Sequence, residues 1–305
     1  MIYSIKNLNK DYDDKEILRD ISFEIEDGEI LSILGKNGAG KTTLIKILSN
    51  VLSKSSGEIY YRDKNLNDIG IDYYNEISVM LEGDRNIYWY LTGMENILYF
   101  GRLYNLSDRT IKNRAENLLE NFGLYEFRNN KVSTYSRGMK QKLSLIIALI
   151  NLPKVLFLDE PTLGLDVLTK NKLIDLLKQL IKTQKLTIIL TSHEFDIVEK
   201  LSDKILILNN GEIEYFDETN KLMQLYSKNI YEITYKGDII PFKNFDFNIL
   251  SIMDNKNDIH IRVECNNEYE IMDLLSILYN YNYSVSKIVK DEISLEEIML
   301  KIWEE

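Results

Sequence analysis

Cysteine occurs once in the 305 residues, at Cys265, proline three times and histidine twice. A lone cysteine cannot form an internal disulfide, so the fold must hold without staples, and a reducing compartment suits it; the cytoplasm is the expected location. With so little proline and only 14 glycines there is no linker-like tract, and no internal repeat or low-complexity run is present, which sets aside fibrous and disordered classes. Positive charge is in deficit. Lys and Arg number 37 against 48 Asp and Glu, a net charge of −11, which argues against a broad footprint on DNA or RNA while leaving a local basic patch open. No nucleic-acid partner is expected. Residues 143–158, the most apolar stretch, are interrupted by Ser144, Asn151, Pro153 and Lys154 and fall short of the roughly 20 apolar residues that cross a bilayer. The opening residues, MIYSIKNLNK, lack the features of a secretory signal and read as a strand. Any membrane work then requires another chain.

Hydrophobic residues make up 45% and charged residues 28%, enough for a sizeable core, and the length suits about two domains. Residues 17–34 alternate apolar and polar around Asp27-Gly28, as two strands joined by a short connection would. A Gly-rich loop follows, then helical spacing over 43–52 and strands over 58–62 and 77–81. From 91 to 152 the pattern is helical, with segments at 93–104, 108–122 and 139–150 around a turn-rich 128–137. Short buried strands at 155–158 and 187–190 flank a helical run at 168–182, a parallel strand-helix-strand rhythm. Strands at 205–208 and 212–216 flank Asn209-Asn210-Gly211, which supplies the positive φ of a hairpin turn. The expected architecture is α/β: a first domain over 1–219 with an antiparallel N-terminal part and a helical insertion at about 84–152, then a small α/β domain over 220–305. In that tail, 258–263 reads as strand and 269–279 and 294–302 as helix; His260 and Cys265 carry no assigned role.

Two motifs carry chemistry. Gly35-Lys36-Asn37-Gly38-Ala39-Gly40-Lys41-Thr42 fits the phosphate-loop pattern and lies between a strand and a helix, the context in which that pattern has physical meaning. Backbone amides beside Gly35, Asn37, Gly38, Gly40 and Thr43 can turn towards phosphates, the helix start adds its positive end, Lys41 reaches the β and γ phosphates, and Thr42 can hold Mg²⁺. Val155-Leu156-Phe157-Leu158-Asp159-Glu160 is an apolar strand ending in two carboxylates, where open α/β sheets bind ligands. Asp159 would bind Mg²⁺, and Glu160 would orient and deprotonate the attacking water.

These residues resemble the ATP-binding cassette family, whose core is a phosphate-loop NTPase. Tyr135-Ser136-Arg137-Gly138-Met139 looks like its signature loop, usually Leu-Ser-Gly-Gly-Gln; Ser136 and Gly138 are kept, while Tyr135, Arg137 and Met139 depart from it. The resemblance implies that Ser136 and Gly138 receive the γ-phosphate bound on a second copy, making the active site a homodimer's. It implies further that Leu163-Gly164-Leu165-Asp166 passes between subunits, that His193 is the switch histidine (a structural histidine being the alternative), and that Tyr12 stacks on adenine. The family normally has glutamine where this chain has Glu82, which is expected to keep the metal role. The aromatic stretch 85–92 either meets the short cytoplasmic helices of a separate transmembrane permease subunit or packs on the insertion.

The likeness covers residues 3–219 and is nearest to the ATPase subunits of drug and antibiotic-resistance exporters; Ile293-Ser294-Leu295-Glu296-Glu297-Ile298 resembles the ending of tails found there. The expected function is therefore an ATPase powering transport, peripheral to the cytoplasmic membrane through its permease. Alternatives are a cassette acting on a soluble machine, such as the ribosome or DNA, which usually shows two cassettes or a long coiled coil, and a regulatory ATP-binding module without turnover.

Overall fold

The computed structural model describes residues 1–13, 15–81, 83, 87–226, 229–239, 247–255, 258–291 and 293–304. They form two compact units, Met1–Thr219 and Asn220–Glu305.

The first unit opens with β1 (Tyr3–Tyr12), β2 (Lys15–Ile25), β3 (Ile30–Gly35), α1 (Lys41–Leu48), β4 (Ser56–Tyr61) and β5 (Lys64–Asn65). It continues through α2 (Asp72–Glu76) and β6 (Ile77–Met80) to three helices, α3 (Gly93–Leu103), α4 (Asp108–Asn121) and α5 (Arg137–Leu149). Then come β7 (Val155–Asp159), α6 (Val167–Gln184), β8 (Thr187–Thr191), α7 (Phe195–Leu201), β9 (Lys204–Asn209) and β10 (Glu212–Glu218), with α8 (Thr219–Tyr226) beginning at the boundary.

One sheet has the order β2-β1-β4-β5 and is antiparallel; the other runs β10-β9-β3-β8-β7-β6. In the second, the pairs β3/β9, β3/β8, β8/β7 and β7/β6 are parallel, and β10 is an antiparallel edge turned by Asn210 and Gly211 at φ 48° and 83°. The two strands read around Asp27-Gly28 thus belong to different sheets. Every residue of β3, β7 and β8 is buried, because a parallel sheet is covered on both faces and needs apolar side chains on both. The period of two sorts them: Leu156 and Leu158 of β7 join the core shared with α3, α4 and α5, while Val155 and Phe157 join the core shared with α1 and the antiparallel sheet. Each fully buried Leu or Phe stabilises by roughly 1.5–3 kcal/mol relative to exposure.

Local chemistry explains where the helices begin. Thr92 and Glu95 form a reciprocal capping box on α3, Ser107 caps α4, and Ser136 caps α5 by accepting from the Met139 amide. Helix α1 starts at Lys41 and ends at Leu48, earlier at both ends than 43–52, because Gly40 caps its start and Asn50 turns left-handed (φ 57°) after it.

The second unit contains β11 (Ile230–Lys236), β12 (Asn248–Asn255), β13 (Asp258–Glu264), α9 (Glu268–Asn280), β14 (Ser284–Asp291) and α10 (Leu295–Glu304). Its sheet, order β12-β13-β11-β14, is antiparallel. Alternate residues Ile233 and Tyr235 of β11 and Ile259, Ile261 and Val263 of β13 pack with Ile271, Leu274 and Leu278 of α9. Asn267 caps α9 by accepting from the Tyr269 and Glu270 amides. Cys265 is buried in this core, which pushes its thiol pKa up. His260 is exposed, 3.0 Å from the Thr234 hydroxyl.

Candidate active site

The phosphate loop spans the end of β3 and the start of α1. Gly40 holds φ 105°, and a Cβ there would lie 2.7 Å from Leu18 Cδ2 and 3.0 Å from the Ile17 carbonyl, so β2 permits only glycine. No acidic side chain occupies the first turn of α1, leaving its positive end to the loop. Lys41 folds back and donates to the Gly35 carbonyl (2.7 Å) and the Lys36 carbonyl (3.2 Å). Burial lowers its pKa, opposed by the carboxylates of Glu160 and Asp159.

Asp159, at the end of β7, is 3% exposed and accepts from two hydroxyls: Thr42 Oγ1 at 3.0 Å and Thr191 Oγ1 at 2.6 Å. The backbone then turns left-handed at Glu160 (φ 52°), a conformation that costs a residue with a Cβ about 1–2 kcal/mol. The Glu160 amide donates to the Thr191 carbonyl and hydroxyl, both at 3.2 Å, and its carboxylate accepts from the His193 amide at 3.2 Å. His193 Nε2 stands 3.6 Å from Glu160 Oε1.

A cavity of about 590 Å³ gathers Asn37, Gly38, Gly40, Lys41, Thr42, Thr43, Asp159, Glu160 and His193 on one wall system. Gly35 contributes through its carbonyl to Lys41. Lys15, Ile17 and Glu194 also line the cavity and were not singled out in the sequence; Leu163, the first residue of the loop expected to pass between subunits, lines it too. Glu194 adjoins His193, so proximity could have flagged it; Lys15 and Ile17 reach the cavity only through the β1/β2 pairing. Tyr12 is outside the lining: its ring lies under Lys10 Nζ, 4.6 Å away, and its backbone pairs with Lys15. Ser136 and Gly138 are outside it too, at the start of α5, with Ser136 exposed. Glu82 lies outside the described residues.

The start of α5 rests on the loop that follows β7. A Cβ on Gly138 would meet the Gly164 carbonyl at 2.9 Å, Lys142 Nζ stands 3.7 Å from Asp166 Oδ2, and Gln141 Nε2 donates to the carbonyls of Glu160 and Pro161. Asp166 caps α6, and the Thr169 hydroxyl and amide, with Lys142 nearby, bring its pKa down to about 2.

The donor set by Lys41 suits Mg²⁺. Thr42 and Asp159 offer hard oxygens, and among the described residues no cluster of three or more His, Cys, Asp or Glu could cage a metal unaided. Mg²⁺ is commonly held by one or two carboxylates together with phosphate oxygens and water.

Residues 18–163 match the family described as ABC transporter. The ABC transporter ATP-binding protein NatA of Bacillus subtilis (strain 168) is 38% identical over 198 residues, 65% of this chain and 80% of NatA. The chain belongs to the ABC transporter ATPase family. It is a cassette that binds and hydrolyses ATP. The linearmycin resistance ATP-binding protein LnrL of the same organism is 34% identical over 233 residues (76% of this chain, 74% of LnrL). The methionine import ATP-binding protein MetN of Clostridioides difficile (strain 630) is 30% identical over 259 residues (84% and 80%). Among solved structures, the dimeric post-hydrolysis ATP-binding cassette MJ0796 bound to ADP and phosphate superposes with a TM-score of 0.66 at 27% identity, over 72% of this chain and 99% of that chain.

Proposed function

We propose that two copies of this cassette close around two MgATP molecules and drive a separate membrane permease, in the direction of export. The observation that carries this reading is the division of the motifs. Lys41, Thr42, Asp159, Glu160 and His193 share one cavity, while Ser136 and Gly138 lie outside its lining, on the start of a helix whose amides suit an anion. A second copy would bring that helix start to the nucleotide, and adenine would stack on Tyr12, whose strand partner Lys15 lines the cavity.

Within each site Lys41 neutralises the β and γ phosphates, and Thr42 and Asp159 would hold Mg²⁺, which supplies charge neutralisation to the phosphates. Glu160 takes the proton of the attacking water as its oxygen bonds to the γ-phosphorus and the bond to the β-γ bridging oxygen breaks. His193 lines the same cavity. Closing and reopening of the pair transmits the work.

Two features support a permease partner. Tyr88, Trp89, Tyr90 and Tyr99 are exposed, and a groove of about 600 Å³ beside them is lined by Val51, Ile71, Tyr74, Phe100, Leu103 and Tyr104 among others, a setting for a short amphipathic helix. Among the described residues no helix is long and apolar enough to cross a membrane. Export is favoured by the likeness to LnrL, and MetN keeps import as the outcome that a transport assay with the permease must exclude. The first test is the mass of Glu160→Gln in solution. MgATP is expected to convert it from monomer to dimer with turnover lowered roughly 10²- to 10⁴-fold; a variant that stays monomeric and fully active overturns the composite site.

A further inference from the structure

Helix α5 is fastened to the catalytic turn by one side chain that none of the motifs above includes. Gln141 Nε2 donates to two successive carbonyls, Glu160 O and Pro161 O, each at 3.0 Å. Those carbonyls belong to the turn in which Glu160 is left-handed, and such backbone persists only where its surroundings over-determine it. Its amide side is held by Thr191 of β8. Its carbonyl side is held by Gln141.

We propose that Gln141 is a positioning residue for hydrolysis: its carboxamide holds the Glu160–Pro161 turn so that the Glu160 carboxylate is aimed at the attacking water. The inference rests on the reading of Glu160 as general base. The chemistry of the side chain fits the task. An amide NH₂ offers two protons to two carbonyls without placing a charge beside Glu160, whereas a carboxylate in its place would face both carbonyls with acceptors. Gln141 follows Ser136 and Gly138 by less than two turns on the same helix, so a displacement of the helix start is passed to the base through one rigid element. The contacts of Gly138 with Gly164 and of Lys142 with Asp166 do not depend on Gln141, so its loss alters the aim of Glu160 while the helix stays docked.

The test compares full-length Gln141→Leu and the equal-sized Gln141→Glu with wild type for kcat, KM for MgATP, nucleotide affinity and thermal unfolding. Both variants are expected to lose about 10²-fold in kcat, the cost of roughly 1 Å of misplacement, with ATP affinity kept within about twofold. Unchanged kcat in both variants, or a fall in kcat matched by an equal fall in ATP affinity and by unfolding, overturns the proposal. Glu160→Gln run alongside separates the two readings. If it turns over normally, the general-base assignment fails and the role of Gln141 with it; if it is dead while the Gln141 variants are normal, only the role of Gln141 falls.

Discussion

Replacing Thr191 by valine exchanges a hydroxyl for a methyl of nearly equal size at a position that is fully buried, so the effect isolates the hydroxyl, which accepts from the Glu160 amide and donates one bond to a carboxylate. That bond runs from Thr191 Oγ1 to Asp159 Oδ1 at 2.6 Å, and Asp159 is itself 3% exposed. A hydrogen bond to a charged group contributes about 1.5–3 kcal/mol. For a unit the size of Met1–Thr219 each kcal/mol moves the unfolding midpoint by about 2–4 °C, so nucleotide-free Thr191→Val should melt roughly 3–12 °C below wild type. The Glu160 amide keeps the Thr191 carbonyl, so the turn itself survives. Thr42→Val removes the other hydroxyl on the same carboxylate. Because the two threonines share Asp159, the double variant should depart from additivity by about 0.5–3 kcal/mol. The assay is calorimetric unfolding, with a Mg²⁺ titration of ATPase activity at fixed ATP, in which Thr191→Val should need more metal. A midpoint within about 1 °C of wild type, or strictly additive losses, would refute the claim that these hydroxyls hold Asp159 in place.

Gly138→Ala places a Cβ 2.9 Å from the Gly164 carbonyl, a backbone atom that cannot rotate away; we expect a loss of about 1–3 kcal/mol in urea unfolding together with reduced turnover. Asp166→Asn keeps a good helix cap, so it reports charge. Since the folded-state pKa of Asp166 is depressed to about 2 from 3.8, its charge contributes stability that is present above 3.8 and lost as pH falls through 2; the gap between wild type and variant should be constant from pH 7 to 5 and narrow below about 4. Leu274→Ala, fully buried in the second unit, should cost about 2–5 kcal/mol in the unfolding of that unit, read by calorimetry, while MgATP binding by the first unit is retained.

The elements most legible in the sequence were those with one strong local cause. The apolar runs of β7 and β8, the turn at Asn210-Gly211 and the periodic α4 each announce themselves within a dozen residues. Sheet membership did not, because β2 and β3 are separated by four residues, Gly28 among them, yet pair with different partners. Strands β11, β12 and β14 were missed for a related reason. In β11 the alternation of Glu232 and Thr234 with Ile233 and Tyr235 spans only four residues, and the partners that make it a strand, β13 and β14, come from further along the chain. At the site, residues adjacent in sequence were readable as motifs, whereas Lys15 and Ile17 reach the cavity through pairing and Gln141 reaches Glu160 across 19 residues of chain. Such contacts depend on tertiary packing, which a linear pattern does not encode.

Asp159 and Glu160 are neighbours, and on a continuing strand their side chains would point to opposite faces of the sheet. Both nevertheless line one cavity, and the left-handed backbone at Glu160 is what brings them there. Glycine would adopt that φ without strain but would carry no carboxylate. Strain kept at a position where an unstrained residue was available points to a task for the side chain. The surroundings then divide the work. Asp159 is fixed by two threonine hydroxyls, Thr191 in the core of the sheet and Thr42 at the start of α1, which suits a metal ligand whose oxygens must not move. Glu160 is fixed through its backbone, by Thr191 on one side and Gln141 on the other, while its carboxylate meets the His193 amide at the cavity wall. A base held by its main chain can be re-aimed when a helix shifts, and a ligand held by its own oxygens cannot.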